Sequence, residues 1–93
     1  MAHYAVIWQY TEDQQVLNDA KAAHGVYLRE LVSRGKIREA GPWQDGSGAL
    51  LIFDVGDETE LKALLEEDPY TSQGVVRQEQ IFPWKVVIGP LAP

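Results

Sequence analysis

The chain has 93 residues, 45% of them hydrophobic and 24% charged, with fourteen acidic against eight basic side chains and a net charge of −6. That length sets a single domain over residues 1–93 with a thin core, and the acidic balance with scattered basic residues excludes a phosphate-tracking surface for nucleic acid. There is no cysteine, which excludes thiolate chemistry and cysteine-bound zinc and fits a cytoplasmic location. No run approaches the roughly 18 apolar residues of a membrane span, and the start of the chain lacks an apolar signal core, so no membrane partner is expected.

His3 to Tyr10 predicts a strand, with Tyr4, Val6, Trp8 and Tyr10 on one face and His3, Ala5, Ile7 and Gln9 on the other. Both faces carry apolar side chains, the pattern of an interior strand. Thr11 with Gln14 fits a capping box, and Asp13 competes as the cap of a helix from about Gln14 to Arg34. The apolar stripe of that helix runs Leu17, Ala20, Tyr27, Leu28, Leu31, and at 100° per residue His24 falls in its centre. Gly35 is placed to end the helix in the left-handed conformation.

Lys36 to Ala40 predicts a short polar strand broken by Gly41-Pro42. Trp43 to Gly48 is turn chemistry, with Asp45-Gly46 as a hairpin signal, and leads into the apolar run Ala49-Leu50-Leu51-Ile52-Phe53. Asp57 with Glu60 forms a capping signature for a second helix, which presents Leu61, Leu64 and Leu65 and stops before Pro69. Tyr70 to Gly74 reads as a loop with about one helical turn. Val75 to Ile88 is the last strand, and Pro83 demotes it to an edge.

The order β-α-β-β-α-β is the ferredoxin-like plan: an α+β fold with a four-stranded antiparallel sheet and two helices on one face. Its strand order, 4-1-3-2, centres the two strands that are apolar on both faces. The helix-free side then keeps apolar residues, with Tyr4, Trp8, Leu51 or Phe53, and Phe82 or Trp84 as contributors. Such a face predicts a homodimer packed sheet to sheet.

The two helices run antiparallel on one side of this plan. With the end of the first level with the start of the second, His24 and Asp68 both lie about 15 Å from that common end, at 1.5 Å per residue. A carboxylate beside an imidazole fixes its tautomer, and opposed effects of charge and burial suit such a ring to general acid–base transfer near neutrality. The plainer alternative is a satisfied core histidine. Tyr70 follows the aspartate and is a candidate pocket wall, while Trp43 and Ser47 are candidates for contacting a ligand from the exposed bend. No ligand spacing of the H-x-x-x-H kind and no glycine-rich phosphate loop are present, so neither a metal nor a cofactor is expected.

His24 followed by Tyr27-Leu28 and Leu31, then Gly35, Ala40-Gly41-Pro42, the Gly48 turn, Asp68-Pro69-Tyr70 and Ile81-Phe82-Pro83-Trp84 together resemble the YciI-related (YCII) family across almost the whole chain. The resemblance implies a ferredoxin-like dimeric α/β barrel and a site built on a histidine and an aspartate, which fall on His24 and Asp68. One branch of that family removes chloride from a chlorinated hydroxyquinol. The implied function is therefore a small cofactor-free enzyme, lyase- or dehydrochlorinase-like, acting on a small cyclic or aromatic substrate. The alternative is a non-catalytic dimeric ligand-binding or accessory module in which the same pair only ties the helices together.

Overall fold

The computed structural model describes residues 2–93. Strand β1 (Ala2–Tyr10) is followed by helix α1 (Gln14–Ser33), strands β2 (Ile37–Pro42) and β3 (Gly48–Val55), helix α2 (Glu58–Glu67), the single turn α3 (Pro69–Ser72) and strand β4 (Val76–Trp84). The sheet is antiparallel in the order β2-β3-β1-β4, so the two doubly apolar strands are central, as the sequence pattern predicts.

Local chemistry sets the ends of these elements. Asp13, not Thr11, caps α1: its Oδ1 accepts from the backbone N–H of Gln15 at 3.0 Å and of Val16 at 3.3 Å. The Thr11 hydroxyl accepts instead from the Asp13 N–H at 3.2 Å, which positions the cap. Gly35, at φ 74°, closes the other end, where the Lys36 N–H bonds the Leu31 carbonyl at 2.9 Å. Asp57 caps α2 through the Glu60 N–H at 2.8 Å, while the Glu60 carboxylate returns to the Gly56 N–H at 2.8 Å and meets Lys36 Nζ at 2.7 Å.

Strand β2 runs further than predicted, through Gly41 and Pro42, which pair with Leu50 and Ala49. It is an edge strand, where a proline leaves no inner donor unmet. Pro83 likewise sits in the other edge strand, opposite Tyr4, and β4 ends at Trp84, short of Ile88.

The core lies between the sheet and the helices, built from Val6, Trp8, Leu51, Phe53 and Val55 of the central strands against Ala20, Leu31, Leu61, Leu64 and Leu65. Tyr4 and Tyr10 belong to the same buried layer. This corrects the assignment of the helix-free face: Tyr4, Trp8, Leu51 and Phe53 point at the helices. The pairing register leaves Ala5, Ile7, Leu50, Ile52, Phe82 and Trp84 on the other side. The larger aromatic set of β1 is the one that fills the space under α1. Trp8 is further tied across to β4, its Nε1–H donating to Glu79 Oε2 at 2.7 Å.

Candidate active site

Asp68 is where the chain leaves α2 and enters α3. Its φ and ψ of −70° and 128° are the extended conformation that Pro69 requires of its predecessor. Its N–H bonds the Leu65 carbonyl at 3.3 Å, closing α2, and its carbonyl accepts from Thr71 at 2.9 Å and Ser72 at 3.1 Å, opening α3. With the backbone so fixed, the carboxylate has one direction to go. Oδ1 accepts from the Tyr70 N–H at 2.9 Å and from His24 Nδ1–H at 2.8 Å. Asp68 is 1% exposed, the one buried charged residue among those described.

The antiparallel helix geometry thus brings together the residues that equal height along α1 and α2 places side by side. Asp68 holds Nδ1 of His24 as a donor, so the neutral ring carries its lone pair on Nε2. Among the described residues Nε2 has no hydrogen-bond partner, and it is not among the buried unpartnered atoms, so it reaches solvent. Tyr70 covers the imidazole face to face, with ring centroids 3.6 Å apart and planes 4° from parallel. Tyr10 meets Tyr70 edge-on at 5.4 Å, and the Trp8 ring lies 5.9 Å from that of His24. The imidazole is therefore clamped by one hydrogen bond and by aromatic contacts.

His24 and Tyr70 open onto a cleft of about 560 Å³, walled by α1 on one side and by Pro42 and Gly46 of the β2–β3 hairpin on the other. That volume accommodates a one- or two-ring molecule. A smaller space of about 160 Å³ continues behind it between His24, Leu28, Trp8 and β2. The phenols at the cleft stay protonated. Burial, then the neighbouring Tyr70 and Asp68, push the Tyr10 hydroxyl up to about 12, and burial, then Asp68, raise Tyr70. They face the cleft as neutral donors. Tyr27 lies outside it: its hydroxyl donates to the Leu64 carbonyl at 2.6 Å, and burial, then Glu67, raise it to about 12.

Of the ligand-contact candidates, the structure brings Tyr70 to His24 and sets Trp43 and Ser47 elsewhere. Those two line a separate groove of about 280 Å³ with Ile7, Gln9, Gln78 and Gln80. The hairpin bends so that Pro42 and Gly46 face α1 while Trp43 turns away from it. Tyr10, Lys21, Gly25 and Arg29 line the main cleft without having been singled out in the sequence. Spacing is the signal for the last three, which stand four residues apart along one row of α1. The described residues hold no group of three or more metal-ligating side chains, and no helix is long and apolar enough to cross a membrane.

The fold and site define a small ferredoxin-like α+β protein with a hydrogen-bonded histidine–aspartate pair at the mouth of an aromatic cleft. The chain belongs to the YCII-related domain family, whose model matches residues 2–85. Among solved structures it is similar to a 5-chloro-2-hydroxyhydroquinone dehydrochlorinase from Burkholderia phenoliruptrix, captured in complex with 2,5-dihydroxybenzoquinone. The two share 27% identity over 89% of this chain and 93% of that one, with a TM-score of 0.79. A protein from Agrobacterium tumefaciens shares the fold alone, at 10% identity and a TM-score of 0.53 over 100% of this chain and 98% of that one. No curated protein matches significantly.

Proposed function

We propose that this chain is a cofactor-free enzyme of small-molecule elimination chemistry, in which His24 transfers protons and Asp68 orients it. The observation that carries this reading is the 2.8 Å bond from Nδ1 to Oδ1 combined with an unpartnered Nε2. A histidine needed only to tie α1 to α3 has no use for a second nitrogen open to a cleft. The dehydrochlorinase activity and bound quinone of the structural neighbour support a halogenated, hydroxylated ring as substrate.

Nε2 takes the proton of a ring hydroxyl and returns it to the carbon bearing the halogen as the electron pair moves into the ring, which gives the keto form and frees Nε2 again. Nε2 then takes a second hydroxyl proton, the electrons shift through the ring, and the carbon–halogen bond breaks. The sum is loss of hydrogen halide with formation of a quinone, with no external oxidant. The buried carboxylate stabilises the imidazolium formed in each transfer, and the Tyr10 and Tyr70 phenols donate to the oxygen that gains charge.

The test is halide release from 5-chloro-2-hydroxyhydroquinone and its halogenated analogues. Wild type is expected to turn over at least one of them, and His24→Gln to lose about 10²-fold or more. Undiminished turnover in His24→Gln refutes the assignment. The competing ligand-binding reading draws on one observation, that Asp68 Oδ1 also holds the Tyr70 N–H and so has structural work regardless of catalysis. It predicts ligand binding without turnover in wild type.

We further infer that two copies pair through the helix-free sheet face. Phe82 and Trp84 are 46% and 44% exposed there, beside Ala5, Ile7 and Leu50. Asp54 on the same face carries a buried Oδ1 without a hydrogen-bond partner, while its Oδ2 lies 3.7 Å from His3 Nε2. A donor from a second copy would satisfy it. Light scattering should return twice the 10.4 kDa chain mass, and a monomer at micromolar concentration would exclude the pairing.

A further inference from the structure

The protein carries a net charge of −6, yet the wall of its main cleft is basic. Lys21 and Arg29 are the charged side chains lining it among the described residues, and no carboxylate joins them. Among the described residues neither forms an ion pair, as is also true of Arg38, Arg77 and Lys85, while Arg34, Lys36 and Lys62 do. Two cations on one wall with no carboxylate beside them give that wall a local positive potential, which suits an external anion.

The backbone beneath them supports this reading. Lys21, Gly25 and Arg29 follow at four-residue steps along one row of α1, between the turns that carry His24. A glycine inside a helix destabilises it by roughly 0.5–1 kcal/mol relative to alanine. The space that Gly25 leaves is occupied by the Arg29 guanidinium: a Cβ there would lie 3.3 Å from its Nη1. Arg29 thus folds back along the helix, over Gly25 and toward the Lys21 end of the row.

We propose that the cleft binds a small planar ring bearing an anionic substituent, with the ring against the His24–Tyr70 stack and the anion held between Lys21 and Arg29. A guanidinium forks onto two oxygens and an ammonium adds a point charge, which suits a carboxylate or an ionised ring hydroxyl. Because the overall charge repels anions at long range, the attraction is local and short-ranged. The inference rests on the cleft being the ligand site and not on proton transfer by His24.

The probes are 2,4-dihydroxybenzoate and its neutral isostere 2,4-dihydroxybenzamide, titrated onto the wild-type chain by calorimetry with amide NMR shifts mapped in parallel. The benzoate is expected to bind at least ten-fold tighter than the benzamide and to shift the amides around Gly25. In the Lys21→Gln, Arg29→Gln double variant that preference should vanish with an unchanged circular dichroism spectrum. Equal affinities, a preference that survives the double variant, or no binding of either probe at 10 mM each overturn the proposal. Turnover is scored separately. A wild type that prefers the benzoate but releases no halide defeats the elimination reading alone, while halide release without anion preference defeats this inference alone.

Discussion

Replacing Asp68 by alanine is the most informative perturbation of the fold, because one carboxylate oxygen serves two partners. Removing Oδ1 leaves the Tyr70 N–H without its acceptor at the start of α3, in a setting where Asp68 is 1% exposed. Loss of such a cap costs about 1 kcal/mol, and more when the freed donor is buried. The His24 Nδ1–H loses its 2.8 Å partner at the same time, which adds about 1.5–3 kcal/mol for a hydrogen bond to a charged group. Together these set an expected destabilisation of about 3 kcal/mol, against a total of roughly 5–14 kcal/mol for a chain of this length. At about 4–8 °C per kcal/mol the melting temperature falls by roughly 12–24 °C. Asp68→Asn keeps an acceptor oxygen in place and is expected to lose only about 1 kcal/mol. Urea unfolding followed by circular dichroism at one fixed protein concentration measures both. A cycle with His24→Ala isolates the pair, with a coupling of about 1–2 kcal/mol. If Asp68→Ala costs under about 1 kcal/mol, or the cycle closes with no coupling, the carboxylate does not hold the imidazole and the orienting role fails.

Three further outcomes are accessible to direct measurement. Long-range ¹H–¹⁵N NMR should find neutral His24 as the Nδ1–H tautomer in wild type and a mixture in Asp68→Ala; an Nε2–H tautomer in wild type would contradict the geometry. The Tyr10 and Tyr27 hydroxyls, raised to about 12 by burial, should ionise late in an ultraviolet titration of the folded chain. The unfolded chain releases those protons near pH 10, so it binds fewer protons than the native state between pH 10 and 12. Stability is therefore full below pH 10 and falls across that window, and a flat alkaline profile would refute the burial argument. Gly48→Ala should destabilise by about 3 kcal/mol or more, since its Cβ would collide with the backbone carbonyl of Trp8; near-wild-type urea stability would rule out that close approach of β3 to β1.

Strand order and helix positions were readable because alternation, caps and breakers agree in this chain. Which face of β1 meets the helices was not. Tyr4, Val6, Trp8 and Tyr10 on one side and Ala5 and Ile7 on the other are both apolar, and alternation defines two faces without labelling them. The bulk of the aromatic set decides it, since the space beneath α1 needs the larger side chains. His24 and Asp68 were legible as a pair because helix rise is constant, so equal counts from a shared end give equal heights. That Trp43 and Ser47 line a groove separate from the His24 cleft was not readable, because the direction of a hairpin bend depends on backbone angles such as that of Gly46, at φ 76°, which residue types constrain only loosely. The Lys21–Gly25–Arg29 row was visible as spacing. Its meaning required seeing that the arginine lies back over the glycine.

Asp68 ends one helix, begins the next and holds the imidazole, which has a consequence for how this scaffold can diverge. Changing it disturbs the path of the chain along with the site, so the pair is shielded from drift by its structural duties. Asn18 and Ala22 on the cleft wall carry no such double obligation. A lineage built on this plan is free to exchange those wall residues and acquire new ligands while the His24–Asp68 pair stays fixed. Laboratory evolution of the protein should follow the same division, with gains in specificity accumulating on α1 and the hairpin and almost none at the α2–α3 corner.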